Sequence, residues 1–281
     1  MAVTEVLPGL YTADHQVADG KNGIILGQRG ALAVDVGTYP EEGQAMFDFI
    51  RAQGFEPNRV ILTHGHGDHV LGGAAFAGAE VYARVETPAV CRRFLTNLAA
   101  RKGVPYEQLA DQALWPTVMY TDELRIDLGD KRVRLFPTPG HSDDGVSVYI
   151  EEQRALIAGD SVVTSIVPAI GDGDSRVLEA SLRRLLAMEI DVLIPGHGSV
   201  LHGPQQVRDA LQWLLDYLSG VRAFVQQTMA ADSTLDAEQI ADRVTYAKFV
   251  SDRLPADQHG MPTRHRNTVM KVIEEEFARR T

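Results

Sequence analysis

Short apolar runs alternate with helical patterns over the first two hundred residues of the chain. Runs bounded by glycine, proline or aspartate are typical of buried strands, whereas apolar positions three and four residues apart are typical of a helix. Strands are predicted at 23–26, 31–35, 60–62, 80–83, 124–128, 131–136, 146–150, 155–158 and 192–194. Helices are predicted at 41–53, 68–76 and 178–188. This alternation predicts an α/β (α+β) fold, beginning with a hairpin between the first two strands.

Two stretches of the chain depart from this alternation. Residues 86–112 are helical in pattern and form a predicted insertion. After Gly203-Pro204 the composition shifts to helix formers, with predicted helices at 205–230, 237–250 and 264–280, and the prolines and glycine of 254–262 are expected to break the helical run. We therefore predict a domain over 1–203 and a C-terminal helical region over 204–281.

Composition and charge narrow the class of partner. The chain has 281 residues, with 27 basic and 38 acidic side chains and a formal charge of −11. An acidic surface repels phosphate backbones and anionic bilayers, so neither nucleic acid nor membrane is an expected partner. The segment 1–11 has no lysine or arginine and no apolar run approaches the roughly 20 residues that span a bilayer. We therefore expect a cytoplasmic protein. The single cysteine, Cys91, excludes an internal disulfide, and we expect it to be buried in the core and unreactive.

The densest chemical signal is the segment Thr63-His64-Gly65-His66-Gly67-Asp68-His69, directly after the predicted strand 60–62. Neutral imidazole and carboxylate are ligands that suit zinc and, less selectively, iron or manganese. His64 and His66 are two residues apart, so an extended chain points both to one side, where they could share one ion. Asp68 and His69 begin the next predicted helix and are better placed to reach a second ion.

Three further strands each end in a glycine followed by a possible ligand. These ligands are His141 after Pro139-Gly140, Asp160 after Gly159, and His197 after Pro195-Gly196. Loops at strand ends carry much of the chemistry of α/β folds, because the sheet fixes the loop while glycine permits close approach of the backbone. Each signal alone is weak, since a glycine before a polar residue is typical of a turn. Together with the first segment they predict one metal centre.

The four motifs, at 63–69, 138–141, 158–160 and 195–198, resemble those of the metallo-β-lactamase superfamily. The resemblance covers roughly residues 5–203. It implies an αββα four-layer sandwich with the metals in a groove along one edge, which the C-terminal helical region would cover. It also implies that His64, His66 and His141 bind one of two divalent ions, that Asp68, His69 and His197 bind the other, and that Asp160 bridges them. Zinc is the first expectation, with iron or manganese as alternatives.

The resemblance implies an enzyme, a dinuclear metal-dependent hydrolase whose bridging hydroxide attacks the carbonyl of a small ester, lactone or thioester. Asp68 is the predicted catalytic residue, since it could orient the hydroxide and pass a proton to the leaving group. Three different functions stay open: an oxidoreductase resembling the mono-iron persulfide dioxygenases, a phosphodiesterase or β-lactamase activity, and a non-catalytic metal-binding protein.

The sequence identifies the substrate least well. A small molecule is expected, and a homodimer is possible. The substrate-binding residues are not identified by any motif. The weaker candidates for substrate contact are His15, Tyr246, His259 and Met261.

Overall fold

A computed structural model describes residues 2–250 and 253–280 and contains two β-sheets packed face to face. The first sheet has the strand order β1-β2-β3-β4-β5-β6-β7, antiparallel up to β4 and parallel beyond it. Its strands are β1 Val3–Leu7, β2 Leu10–His15, β3 Gly20–Gly27, β4 Gly30–Val34, β5 Arg59–Ile61, β6 Glu80–Arg84 and β7 Val118–Tyr120. The second sheet has the order β13-β12-β11-β10-β9-β8. Its strands are β8 Leu124–Asp127, β9 Arg132–Pro137, β10 Val146–Ile150, β11 Ala155–Ile157, β12 Val192–Ile194 and β13 Leu201–His202.

Helices cover the outer face of each sheet. Those described are α1 Pro40–Ala52, α2 Gly67–Val70, α3 Thr87–Lys102, α4 Tyr106–Ala110, α5 Ser175–Leu186, α6 Pro204–Ala231, α7 Ala237–Ala241, α8 Tyr246–Phe249 and α9 Met261–Ala278. The helices α1, α3 and α4 pack on the first sheet, and α5, α6 and α9 pack on the second. A third apolar cluster, with Ile25, Val34, Val148 and Ile157 among its members, fills the space between the sheets. The predicted αββα sandwich with C-terminal helices is therefore confirmed.

Several local predictions are wrong. The strands β1, β2, β7 and β13 are absent from the sequence prediction, since each is very short or partly polar. The helix expected over 68–76 is two pieces, α2 and a 3₁₀ helix at Gly73–Phe76, interrupted by the Gly72-Gly73 pair. The helix expected over 237–250 is also two pieces, because Thr245 is extended and begins α8 anew.

The last helix begins earlier than its pattern predicts. The helix α9 begins at Met261 rather than 264, because Pro262 lies in its first turn, where a missing N–H costs nothing. The helices α6 and α9 share one apolar core with the second sheet and α5. The division of the chain at residue 203 stays a prediction. Among the described residues, none of the helices combines the length and apolarity that a membrane crossing requires.

Candidate metal centre

The seven predicted ligands converge at the edge where carboxyl ends of strands from both sheets meet. Residues 62–69 follow β5 of the first sheet, whereas His141, Asp160 and His197 follow β9, β11 and β12 of the second. Gly196 shows why a glycine precedes a ligand here. A Cβ added at Gly196 would lie 2.0 Å from Oδ1 of Asp160. The backbone of the last loop therefore approaches the carboxylate too closely for any other residue.

The first group of possible metal ligands is His64, His66 and His141. One potential ligand atom from each lies within 4.8 Å of the others, and all three side chains are buried. Nδ1 of His66 and Nε2 of His141 are 2.9 Å apart. The His64 ring lies 4.6 Å from that of His66 and 4.8 Å from that of His141, between centroids. These are the three histidines that the resemblance assigns to one ion.

The second group surrounds Asp68 and Asp160. Nε2 of His197 lies 3.4 Å from Oδ2 of Asp68 and 3.4 Å from Oδ2 of Asp160. Nε2 of His69 lies 3.4 Å from Oδ1 of Asp160 and 3.9 Å from Oδ2 of Asp68. Asp160 also reaches the first group, since its Oδ2 lies 3.5 Å from Nε2 of His141. The carboxylate of Asp160 thus stands between the two groups, as a bridging ligand would.

Each of the five histidines has its outer nitrogen held by a hydrogen-bond partner. The outer nitrogen of His69 contacts Oδ2 of Asp35 at 2.9 Å, and that of His66 contacts Oδ2 of Asp172 at 3.1 Å. In the other three histidines the outer nitrogen is Nδ1. It contacts the Thr63 hydroxyl in His64, the Ala169 carbonyl in His141 and the Ala18 carbonyl in His197. This arrangement fixes the ring orientation and leaves the inner nitrogen facing the centre, as in metal-binding histidines.

The electrostatics of the centre show strong coupling between imidazoles and carboxylates. Burial lowers the pKa of His141 to about 4. Burial acts in the same direction on His197, but the carboxylates of Asp160 and Asp68 outweigh it and raise its pKa to about 10. Although burial raises the pKa of Asp160, the neighbouring His197 and His141 hold it well below its ordinary value. Binding of a metal cation here would displace the protons that these imidazoles and carboxylates share.

The donor set fits a pair of divalent ions. Three atoms that face the centre and could coordinate a metal are buried and have no hydrogen-bond partner among the described residues. They are Nε2 of His64, Nε2 of His69 and Oδ1 of Asp160. Zinc binds imidazole nitrogen at about 2.1 Å, so donors of one tetrahedral shell are roughly 3.4 Å apart. The separations of 2.9–3.9 Å between inner donors bracket that value. Nitrogen and carboxylate oxygen together are the chemistry that zinc, iron and manganese accept.

A cavity of about 540 Å³ opens onto this centre. Asp68 and His197 line its floor, and Phe94 and Leu98 of α3 form one wall. The ring of Phe94 lies 4.5 Å from that of His66, between centroids. The helical pattern predicted over 86–112 is observed as α3 and α4, and α3 lines the groove. The residues Arg264, Asn267 and Thr268 of α9 also line this cavity.

The four weaker candidates for substrate contact have different placements. His15 lies at the centre itself, where one of its ring nitrogens is within 4.8 Å of donor atoms of Asp68 and His197. Met261 is fully buried in the apolar core, and Tyr246 packs against the same core. The Nε2 atom of His259 is 2.9 Å from a carboxylate oxygen of Asp19, and His259 is not part of the cavity lining. The structure thus brings only His15 of these four to the centre.

Two carboxylates that hold ligand histidines are absent from the sequence prediction. Asp35 directly follows β4, and Asp172 lies in the loop before α5. Asp172 also accepts a hydrogen bond from Nε of Arg93 at 3.0 Å. Asp35 belongs to none of the four motifs, but it follows a buried strand, which is the signal that identifies Asp160. Asp172 carries no such signal, because 106 residues separate it from His66.

Comparison with known sequences places these motifs in context. A sequence model described as the metallo-beta-lactamase superfamily matches residues 22–197. Glyoxylase B2 of Dictyostelium discoideum is 25% identical over 233 residues, which are 78% of this chain and 70% of that protein. A hydroxyacylglutathione hydrolase of Methylobacterium sp. (strain 4-46) is 32% identical over 170 residues, 60% of this chain and 58% of that protein. The chain thus spans little more than half the length of this second relative.

Solved structures share the fold at low sequence identity. A metallo-beta-lactamase family protein from Thermus thermophilus superposes with a TM-score of 0.71 at 21% identity, covering 98% of this chain and 96% of that one. A beta-lactamase domain protein from Burkholderia ambifaria gives a TM-score of 0.75 at 19% identity, covering 99% and 89%. These likenesses extend over the C-terminal helices as well as the two sheets.

Proposed function

The chain belongs to the metallo-β-lactamase superfamily, and we propose that it is a dinuclear metal-dependent hydrolase that acts on the carbonyl group of a small ester, lactone or thioester. The observation that carries this proposal is the arrangement of the five histidines. Each has its outer nitrogen held by a partner, and Asp160 stands between the two groups of inner donors. Histidines with only a structural role would not need their inner nitrogens to face a common centre.

The proposal assigns different roles to the metal ions and to the side chains. Two bound divalent ions would supply the Lewis acidity that makes water reactive near neutral pH and polarises a carbonyl oxygen. Within the site, Asp68 is the ligand carboxylate with the greater exposure, 19% of its side chain, and it lines the cavity. Its carboxylate orients the reacting water and carries a proton to the leaving group. His69 and His197 hold the pKa of Asp68 well below its ordinary value against the effect of burial, so its carboxylate is ionised at neutral pH.

The walls of the cavity support a partly apolar small substrate. The side chains of Leu71, Phe94, Leu98, Ile166 and Ile170 face the same space as the donor groups. Apolar walls exclude bulk water from the reacting groups and strengthen the electrostatic interactions among them. Relatives named hydroxyacylglutathione hydrolase support hydrolysis of a carbonyl derivative over hydrolysis of a phosphodiester. The strongly acidic composition also disfavours a phosphodiester substrate, because an acidic surface repels phosphate groups.

An oxidoreductase and a non-catalytic binding protein have less support. A mono-iron oxidoreductase needs one complete metal position, whereas here Asp68, His69 and His197 form a second group beside the first. If α3 or the C-terminal helices blocked the groove, that would favour a non-catalytic binding protein. The cavity between those elements is large enough for a small molecule.

The test combines metal analysis with a substrate panel. We expect two metal equivalents per chain after reconstitution with zinc, and turnover of at least one ester, lactone or thioester. Asp160→Ala should lower that turnover by at least about a hundredfold, because loss of an outer partner of a ligand alone costs about 10–100-fold. A phosphodiester and a chromogenic β-lactam complete the panel.

Two outcomes would contradict the proposal. One is binding of a single equivalent together with iron-dependent oxygen uptake, which would select the oxidoreductase. The other is equal turnover in the wild-type protein and in Asp160→Ala, which would place catalysis elsewhere.

A further inference from the structure

His15 is a buried imidazole without a partner. It ends β2, only 4% of the residue is exposed, and neither ring nitrogen has a hydrogen-bond partner among the described residues. A buried polar group that loses its bonds to water and gains none is costly, so such groups in folded proteins have an explanation. His15 belongs to none of the four motifs that carry the resemblance to the superfamily.

The ring of His15 faces the second metal position. One of its nitrogens and donor atoms of Asp68 and His197 all lie within 4.8 Å of one another. The His15 ring meets those of His197 and His69 edge to face, with centroids 5.7 Å and 6.1 Å away. An ion held by Asp68 and His197 would therefore have a nitrogen of His15 within reach as a further ligand atom.

The hairpin between β2 and β3 is built to keep this ring in place. Gly20 pairs with His15 across the hairpin, and it also forms a bridge to His197. A Cβ on Gly20 would lie 1.7 Å from the His15 ring. The turn places Ala18 and Asp19 at positive φ, 50° and 56°, which is uncommon for residues other than glycine. That turn aims the Ala18 carbonyl at Nδ1 of His197, 3.1 Å away.

We propose that His15 is an additional nitrogen ligand of the second metal position, alongside Asp68, His69 and His197. The inference rests on the two-metal site of the proposed function. It explains the buried, unpartnered ring, the glycine opposite it and the strained turn by a single requirement. Because His15 comes from the hairpin between β2 and β3, it would add a ligand from a segment outside the four motifs.

The test measures metal binding rather than turnover. Zinc equivalents are measured by elemental analysis and chelator competition, and Co²⁺ binding by its visible absorption, for wild type, His15→Ala and Gly20→Ala. We expect the first equivalent to bind as in wild type and the second to bind at least about tenfold more weakly in His15→Ala, because a ligand is lost. Gly20→Ala keeps the imidazole but displaces it, so it should show the same loss. In the double variant the two losses should not add. The exposed His202→Ala is the control.

The outcomes separate this inference from the proposed function. If wild type binds fewer than two equivalents, the two-metal site itself fails. If wild type binds two and His15→Ala binds both with unchanged affinity and Co²⁺ spectrum, the site stands and the inference about His15 is overturned. Additive losses in the double variant would also overturn it, since they would mean that Gly20 acts by another route.

A second observation concerns three cations at the cavity. Arg101 and Lys102 end α3, Arg264 lies in the first turns of α9, and all three line the cavity of the metal centre. No carboxylate of the described residues forms an ion pair with any of them. Nε of Arg264 donates to the carbonyl of His259 at 2.9 Å, which fixes the guanidinium.

The carboxylates of this cavity are already engaged. Asp68 and Asp160 belong to the metal centre, and Asp172 contacts His66 and Arg93. The three cations therefore present positive charge to whatever occupies the cavity, beyond the apolar side chains of α3.

We infer that the substrate of the proposed hydrolase carries an anionic oxygen group, such as a carboxylate, at the end of an apolar segment. The apolar segment would lie against the α3 wall, with the anionic group at the three cations. This assigns to the substrate a charge that no sequence motif predicts.

The test compares two nitrophenyl esters that differ only at the far end of the acyl chain, one neutral and one ending in a carboxylate. The ratio of kcat/KM for the charged ester to that for the neutral ester should fall about tenfold in the triple variant Arg101→Ala, Lys102→Ala, Arg264→Ala, since three partly exposed ion pairs are lost. It should also fall with added salt in wild type. Arg51→Ala, an exposed cation in the last turn of α1, is the control.

An unchanged ratio in the triple variant would overturn this second inference while leaving hydrolysis intact. If neither ester is hydrolysed, the proposed function is in question. The inference is then tested separately by calorimetry, which measures binding of the dicarboxylate that corresponds to the acyl part of the charged ester. Equal binding to wild type and the triple variant would then refute it.

Discussion

The carboxylate of Asp35 contacts one histidine of the proposed second metal position directly and one of the proposed first position through Thr63. It is 1% exposed and accepts hydrogen bonds from the backbone N–H of Thr63 at 2.7 Å, the Thr63 hydroxyl at 2.7 Å and Nδ1 of His69 at 2.9 Å. Because the Thr63 hydroxyl donates to Asp35, its oxygen can accept from Nδ1 of His64, 3.1 Å away. One carboxylate thus sets the tautomer of His69 directly and that of His64 through Thr63.

Asp35→Asn removes the charge with little change of shape. The residue has a φ of 58°, a conformation that asparagine also tolerates, so the backbone is not strained by the change. The amide cannot accept from both Thr63 and His69 as the carboxylate does. A hydrogen bond to a charged group contributes about 1.5–3 kcal/mol, which at about 1.4 kcal/mol per factor of ten corresponds to a loss of about 10–100-fold in metal affinity. The loss should be larger at the position of His69 than at that of His64.

Chelator-competition titration with Zn²⁺ measures the two affinities separately. Asp144→Asn is the matched control, since Asp144 is also a fully buried carboxylate but bonds to the hydroxyl of Ser142. Two unchanged affinities in Asp35→Asn would refute this role of the carboxylate. A loss of the same size in Asp144→Asn would show that any buried carboxylate near the centre has this effect.

Three further predictions concern other parts of the molecule. Asp172→Ala should weaken zinc binding by about tenfold at the position of His66 and leave the other position unchanged, which the same titration measures. Arg222→Ala removes the buried cation that contacts two buried carboxylates, on α5 and α9, and leaves each with one more exposed arginine. Urea denaturation should therefore show a loss of about 3 kcal/mol in the free energy of unfolding, and a loss below about 1 kcal/mol would contradict this. Burial raises the pKa of the Cys91 thiol to about 12, so a disulfide reagent should modify it only after denaturation, and rapid modification of the folded protein would refute this.

The metal motifs are predictable because a local pattern carries each of them. A buried strand that ends in glycine and a ligand is visible in a few consecutive residues, and the four loops follow that rule at His66, His141, Asp160 and His197. The fold class follows from the alternation of strands and helices. The chain's fourth strand and the helix α1 are predicted within one residue of their observed bounds, since their apolar spacing is regular.

The features that sequence patterns do not predict depend on contacts between distant segments. Asp172 reaches His66 across 106 residues, and no local pattern marks it. The strand β2 has only alternate apolar positions and ends in His15, so its hairpin resembles a polar loop. The cations of α3 and α9 line one cavity only because the C-terminal helices pack beside the groove. Sequence patterns report what one segment prefers, whereas these features depend on which segments pack together.

The placement of the proposed ligands would make each proposed metal position a junction between the two sheets. At the first position, His64 and His66 follow β5 of the first sheet, while His141 follows β9 of the second. At the second position, His69 belongs to the first sheet's loop and His197 to the second sheet's last loop. An ion bound at either position therefore links two layers that are otherwise joined by apolar packing. Since such a site is complete only when both sheets are in place, the free energy of metal binding adds to that of folding, and the reactive groups stay in register because the sheets do.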